Sequence, residues 1–279
     1  MKVSKLFIVS LFVALMLFVS SFERVYSQYE ALRGKKILFT YGGWAGHEPQ
    51  QCKDIFVPWL QSVGAEVIVS DNLGVYKDSV LMKSLDLIIQ AWTQGSTMTI
   101  VGRNGQPQPP DLDPQAARGL LAAVKRGVGF AGWHGGIGDA FRNDTEFQYM
   151  VGGQWVAHPG NVITYTVNIT DKSDPVTKGL SPSFQMVSEQ YYMHVDPNVK
   201  VLATTKYNGD VNAWINGCII PVVWKKTYGK GRIFYSSLGH VAKDFDVPEA
   251  LEIMKRGICW AVQSLHEPNE PWVSPVYPN

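Results

Sequence analysis

"GVGFAGWHGG" (Gly127–Gly136) decides the fold. A short apolar strand runs into a glycine-rich corner, and the corner carries His134. The spacing Gly132-Trp133-His134-Gly135-Gly136 is that of a nucleophile elbow, a strained strand-to-helix turn that lifts one side chain out of a sheet. Imidazole stands where such a turn holds a hydroxyl or a thiol. The corner therefore offers a base in place of a nucleophile.

Upstream, Asp113-Pro114 announces a helix, with Asp as N-cap and Pro at the first helical position. Leu120, Leu121 and Val124 give that helix one buried face, and Gly127 ends it. "KKILFTYGG" (35–43), "AEVIVSD" (65–71) and "DLIIQAW" (86–92) read as further buried strands. Residues 50–64 carry helical spacing, with Pro58 predicting a kink or a late start. Strands alternating with helices predict an α/β fold: a doubly wound, mainly parallel sheet covered on both faces. Residues 93–110 are polar and rich in Gly and Pro, and read as a long loop or lid. The C-terminal half is richer in strand, at 162–170, 199–207, 219–228 and 231–239, with "YGKG" (228–231) as a hairpin turn. A helix over 248–265 closes the chain.

The start is positive, and the apolar run Leu6–Val19 falls short of the roughly 20 residues that span a bilayer. With small and polar residues after it, 1–27 reads as a signal peptide. The expected product is an exported protein, periplasmic or secreted, with one domain over 28–279 and no stable membrane span. A net charge of +1 without a basic run argues against nucleic acid as a partner. Cys52, Cys218 and Cys259 are too scattered for a disulfide framework and read as core thiols.

Ligands of open α/β sheets bind beyond the carboxyl ends of the strands. Just past those ends lie Trp44 and His47, then Trp92, then Trp133 and His134, and last His240. Three histidines on glycine-loosened loops are thus placed to converge. Glu189, in "SEQYY", is an acid among aromatic residues and becomes a general acid or base if it turns inward. The expected catalytic set is His134, His240, His47 and Glu189. Trp44, Trp92, Trp133 and Trp155 offer indole faces suited to sugars, with Tyr191 and the loop histidine His158 beside them as substrate contacts. No Cys/His spacing of the zinc kind is present, so no cofactor is evident. Separate loops can still assemble a three-histidine site for a divalent metal, completed by Glu189. Direct acid–base work by imidazole is preferred to it.

"ILFTYGGWAGHE" (37–48), "VKRGVGFAGWHGG" (124–136), "YMVGGQWVAHPG" (149–160), "SEQYY" (188–192) and "YGKGRIFYSSLGHVAKDF" (228–245) together resemble the trehalose-utilisation (ThuA-like) family. The resemblance runs in order over 36–262. It implies a flavodoxin-like sheet similar to class I glutamine amidotransferases, and it points to His47, His134, Glu189 and His240 as the site. His134 stands where those enzymes have a cysteine nucleophile, which removes amidotransferase chemistry. The family implies a small carbohydrate ligand: disaccharides and, in some members, 3-keto sugars made by a partner dehydrogenase. A base can abstract the acidic proton beside such a ketone, and a second group can protonate the leaving glycosidic oxygen. Elimination or hydrolysis without a nucleophile is therefore the expected reaction. The alternatives are a non-catalytic carbohydrate-binding accessory protein and a metal-dependent sugar hydrolase or isomerase.

Overall fold

The computed structural model describes residues 29–101, 105–108 and 110–269. The expected signal segment, 1–27, lies outside the described residues. The strands in chain order are β1 (Lys36–Gly43), β2 (Glu66–Ser70), β3 (Leu87–Thr93), β4 (Ile100–Val101), β5 (Pro107–Gln108), β6 (Gly129–Trp133) and β7 (Gly153–Ala157). They continue as β8 (Val162–Ile169), β9 (Ser183–Glu189), β10 (Tyr192–Val195), β11 (Lys200–Lys206), β12 (Ile219–Tyr228) and β13 (Gly231–Ser236).

Nine of these form one sheet in the order β2-β1-β3-β6-β13-β12-β11-β8-β9. From β2 to β13 every neighbouring pair is parallel. From β13 to β9 every pair is antiparallel. The sheet is therefore mixed, which corrects the expectation of a mainly parallel one. The reason lies in the connections. Parallel neighbours need a long crossover, usually helical, and no α-helix lies between β8 and β13. β12 and β13 are instead closed by the expected tight turn, with Tyr228 opposite Gly231.

Period-two alternation sends neighbouring residues to opposite faces of the parallel half. Ile37, Phe39, Leu87, Ile89 and Ala131 face the helices Pro49–Ser62 and Pro248–Val262. Leu38, Ile88 and Phe130 face the helices Pro114–Arg126 and Thr145–Val151. Both faces are fully buried there, and truncating such a residue to Ala costs about 2–5 kcal/mol. The cap expected at Asp113 is present: its side chain accepts from the backbone N–H groups of Gln115 and Ala116. Pro58 lies inside Pro49–Ser62 without ending it. The stretch expected to be loop, 93–110, holds the small antiparallel ladder of β4 and β5. A second small ladder pairs β10 with β7 and sets Tyr192 opposite Ala157, so the adjoining Tyr191 and His158 come to one place.

Candidate functional site

Four chain segments deliver one side chain each to the carboxyl ends of the parallel strands. After β1, a 3-10 turn (Ala45–His47) carries His47, whose Nδ1 lies 2.7 Å from the Thr93 hydroxyl at the end of β3. That ring packs so close to Gly135 that a Cβ there would lie 2.5 Å from the His47 Cε1. After β6, His134 sits in the left-handed region at φ 45°. The strain is held on three sides. Its N–H donates to the Ser236 carbonyl at 2.7 Å, its carbonyl accepts from the Tyr235 hydroxyl at 3.1 Å, and its Nδ1 meets the Ser237 carbonyl at 2.8 Å. After β13, Gly239 leads to His240. Glu189, the last residue of β9, comes from the antiparallel half.

These four side chains converge. The Glu189 Oε2 lies 3.1 Å from the His134 Nε2, 3.2 Å from the His240 Nδ1 and 3.9 Å from the His47 Nε2. One ligating atom from each lies within 4.8 Å of every other. Bonds of 2.0–2.1 Å to a tetrahedral ion set donors roughly 3.3 Å apart, so the cluster has the scale of a metal site. The His240 Nδ1 is buried and finds no aligned hydrogen-bond partner.

The electrostatics suit a positive charge, whether proton or metal ion. A carbonyl only accepts, so the His134 Nδ1 donates to Ser237. In the neutral ring Nε2 then turns its lone pair toward a carboxylate, an arrangement relieved by a proton on Nε2, which would donate to Glu189, or by a bound cation. Burial pushes the His134 pKa below that of free imidazole, against the opposing pull of Glu189 and the Ser237 carbonyl. Burial, with repulsion from His134 and His240, takes His47 down to about 2. For Glu189, burial works upward, but the neighbouring His134 and His240 outweigh it and hold the carboxyl below the usual range. A metal ion binds neutral imidazole and ionised carboxylate, the forms that the shifts of His47, His134 and Glu189 favour.

Beside the cluster opens a cavity of about 850 Å³, lined by Trp44, Trp92, Thr93, Asp111, Arg142 and Asn143 among others. Trp44 meets the His47 ring at 4.8 Å, so the cavity wall adjoins the cluster. Trp155 stacks under the Arg142 guanidinium at 4.2 Å. Tyr191 covers the His134 ring with centroids 3.8 Å apart. The His158 Nδ1 lies 3.7 Å from the other Glu189 oxygen. Trp133 is placed elsewhere: it is only 3% exposed and packs into the core against Phe56 and Phe245, which corrects its place among the substrate contacts. The polar support was missed: Thr93, Tyr235, and the Ser188–Asp244 pair behind Glu189. Thr93 was within reach of the sequence, one residue past the strand end assigned at Trp92. The cysteines are free, as expected of core thiols, although only Cys52 is fully buried.

The family model for ThuA, described as trehalose utilisation, matches residues 36–261. A ThuA-like protein from Bacteroides uniformis ATCC 8492 has a similar structure, with TM-score 0.63 and 17% identity over 82% of this chain and 91% of that one. One from Parabacteroides merdae ATCC 43184 gives 0.60 and 19%, over 82% and 90%. A cytoplasmic protein from Salmonella typhimurium LT2 gives 0.55 and 15%, over 84% and 100%. No curated protein matches the chain. The Salmonella protein overturns the expected periplasmic or secreted location, because the fold is not tied to export. Among the described residues, no helix is long and apolar enough to cross a membrane.

Proposed function

The chain belongs to the ThuA, trehalose-utilisation family, and from that premise we propose that it is a metal-dependent carbohydrate-processing enzyme, a hydrolase or isomerase. One observation carries the proposal: three imidazole nitrogens and a carboxylate oxygen gathered within 4.8 Å of one another. The donor set fits an ion. The Ser237 contact takes the His134 Nδ1 as donor and so leaves Nε2 of the neutral ring free to ligate, the His240 Nδ1 is buried without an aligned partner, and Glu189 supplies negative charge. Three imidazoles and one carboxylate favour a first-row transition ion over magnesium or calcium. With four protein donors, an ion taking five or six ligands retains positions for substrate.

Bound there, the ion would polarise a sugar carbonyl or hydroxyl or activate water. The chain's own residues do the rest. Trp44 and Trp92 give the adjoining cavity flat apolar walls for the C–H faces of a sugar ring. Asp111, Arg142 and Asn143 present polar groups to its hydroxyls. Thr93 and the Ser237 carbonyl orient the His47 and His134 rings. The parallel strands run in the order 2-1-3-4-5 when renumbered among themselves, which supports the flavodoxin-like assignment and places the cluster beyond their carboxyl ends.

Metal-free elimination by imidazole is supported less well, since burial depresses both His134 and His47. The test is turnover of disaccharides and their 3-keto forms, followed by mass spectrometry, with chelator and after return of manganese, cobalt or zinc. Cleavage or isomerisation lost in chelator and restored by one ion is the expected result. Turnover indifferent to chelator would return the case to acid–base chemistry. Binding without turnover under every condition would favour the accessory sugar-binding protein.

A further inference from the structure

We infer that Asp244 and Glu48 are positioning residues that hold the His240 loop against the other metal donors, an inference that rests on the metal-centre reading above. The three imidazoles are not secured alike. The His47 ring is held by Thr93 and the His134 ring by the Ser237 carbonyl, each through a ring nitrogen. The His240 Nδ1 has no such supporting partner, only the approach to its fellow donor Glu189 at 3.2 Å, and the residue follows Gly239, whose φ is 102°. Its backbone contacts therefore carry much of its placement.

Two carboxylates supply that placement. The Asp244 Oδ2 accepts the His240 backbone N–H at 2.8 Å and the Ser188 hydroxyl at 2.5 Å. Ser188 immediately precedes Glu189, and Ser188 and Asp244 are both buried. One oxygen thus ties the His240 loop to the strand that presents the ligating carboxylate. The Glu48 Oε2 accepts the Ala242 N–H at 3.1 Å, two residues past His240. Glu48 follows His47 directly and is held at φ 48°, ψ 48°, a left-handed conformation that its side chain does not favour by itself. Hydrogen bonds to an ionised acceptor are stronger than neutral ones. Through these two carboxylates the loop of one ligand is fastened to residues adjoining two others, so separation of the donors is resisted before any ion arrives.

The experiment is calorimetric titration of cobalt(II) into the full chain after chelator stripping and desalting, with circular dichroism on each variant. Asp244→Ala should weaken cobalt binding about tenfold to a hundredfold, while Asp244→Asn, which keeps the accepting oxygen, restores most of the loss. Glu48→Ala should show a smaller loss, relieved by Glu48→Gln. Should Asp244→Ala fail to fold, Ser188→Ala removes one of its two bonds and must still weaken binding. A folded Asp244→Ala that binds cobalt like the wild type overturns the inference and leaves the metal centre standing. So does an Asn variant as impaired as Ala. A wild type that binds no cobalt overturns the metal centre itself, and the positioning role with it.

Discussion

The two halves of the sheet meet at one point and bring unlike things to it. The parallel half is buried on both faces except at its edge strand β2, and the ends of its strands supply three imidazoles on short, glycine-bounded loops. The antiparallel half supplies the one carboxylate, Glu189, and keeps much of its outer surface open, with Val162, Val187 and Ile219 all exposed. Neither half makes the site alone. Imidazoles without Glu189 would be neutral ligands for an ion whose charge nothing offsets, and Glu189 without them would be a buried, unpaired charge. The candidate site thus sits on the seam between the two strand regimes.

The largest effect should come from cutting the antiparallel contribution. Glu189→Gln keeps the shape and removes the charge, so metal affinity should fall by more than the ~10–100-fold typical of losing a supporting residue. Equal affinity in that variant would break the comparison outright. Next comes the parallel half. In Gly135→Ala the new methyl would lie 2.5 Å from the His47 Cε1 and 2.7 Å from the Thr93 Cγ2. Stability should drop by about 1–3 kcal/mol in chemical denaturation, with metal binding weakened as His47 is displaced.

A smaller effect follows from protonation. His47 is lowered from 6.5 to about 2, with burial the first cause. The unfolded chain takes up a proton below about pH 6.5 that the folded metal-free chain refuses, so the unfolded state binds more protons throughout that window. Stability therefore rises with pH across it, and the melting temperature should fall on acidification below pH 6.5. His47→Gln should flatten that slope. The smallest effect is expected far from the seam: Trp214 is 82% exposed, and Trp214→Ser should change stability by no more than about 0.5 kcal/mol.

Legibility also differed between the halves. β1, β2, β3 and β6 are continuous apolar runs ended by turn residues, so they and the loops bearing His47 and His134 could be located by eye. β9 could not: "SFQMVSE" loses its alternation at Met186-Val187, and Glu189 was therefore noticed only for its aromatic neighbours. The antiparallel character of β8, β9, β11 and β12 was hidden because strand pattern alone carries no direction. The four candidate donors were legible, and a three-histidine metal site completed by Glu189 was legible only as the less preferred use of them. Its donors come from four distant segments, and spacing rules detect only ligands close in sequence. Trp133 misled because an elbow neighbour can face either side of the turn; here its indole joins the core with Phe56.

The most direct measurement is elemental analysis paired with cobalt absorption spectroscopy on chelator-stripped chain, wild type and Glu189→Gln. The account predicts one cobalt ion per wild-type chain, with ligand-field bands that Glu189→Gln abolishes. A wild-type chain that holds no cobalt, manganese or zinc at any concentration tested, while its histidine resonances titrate as imidazolium beside Glu189, would contradict it.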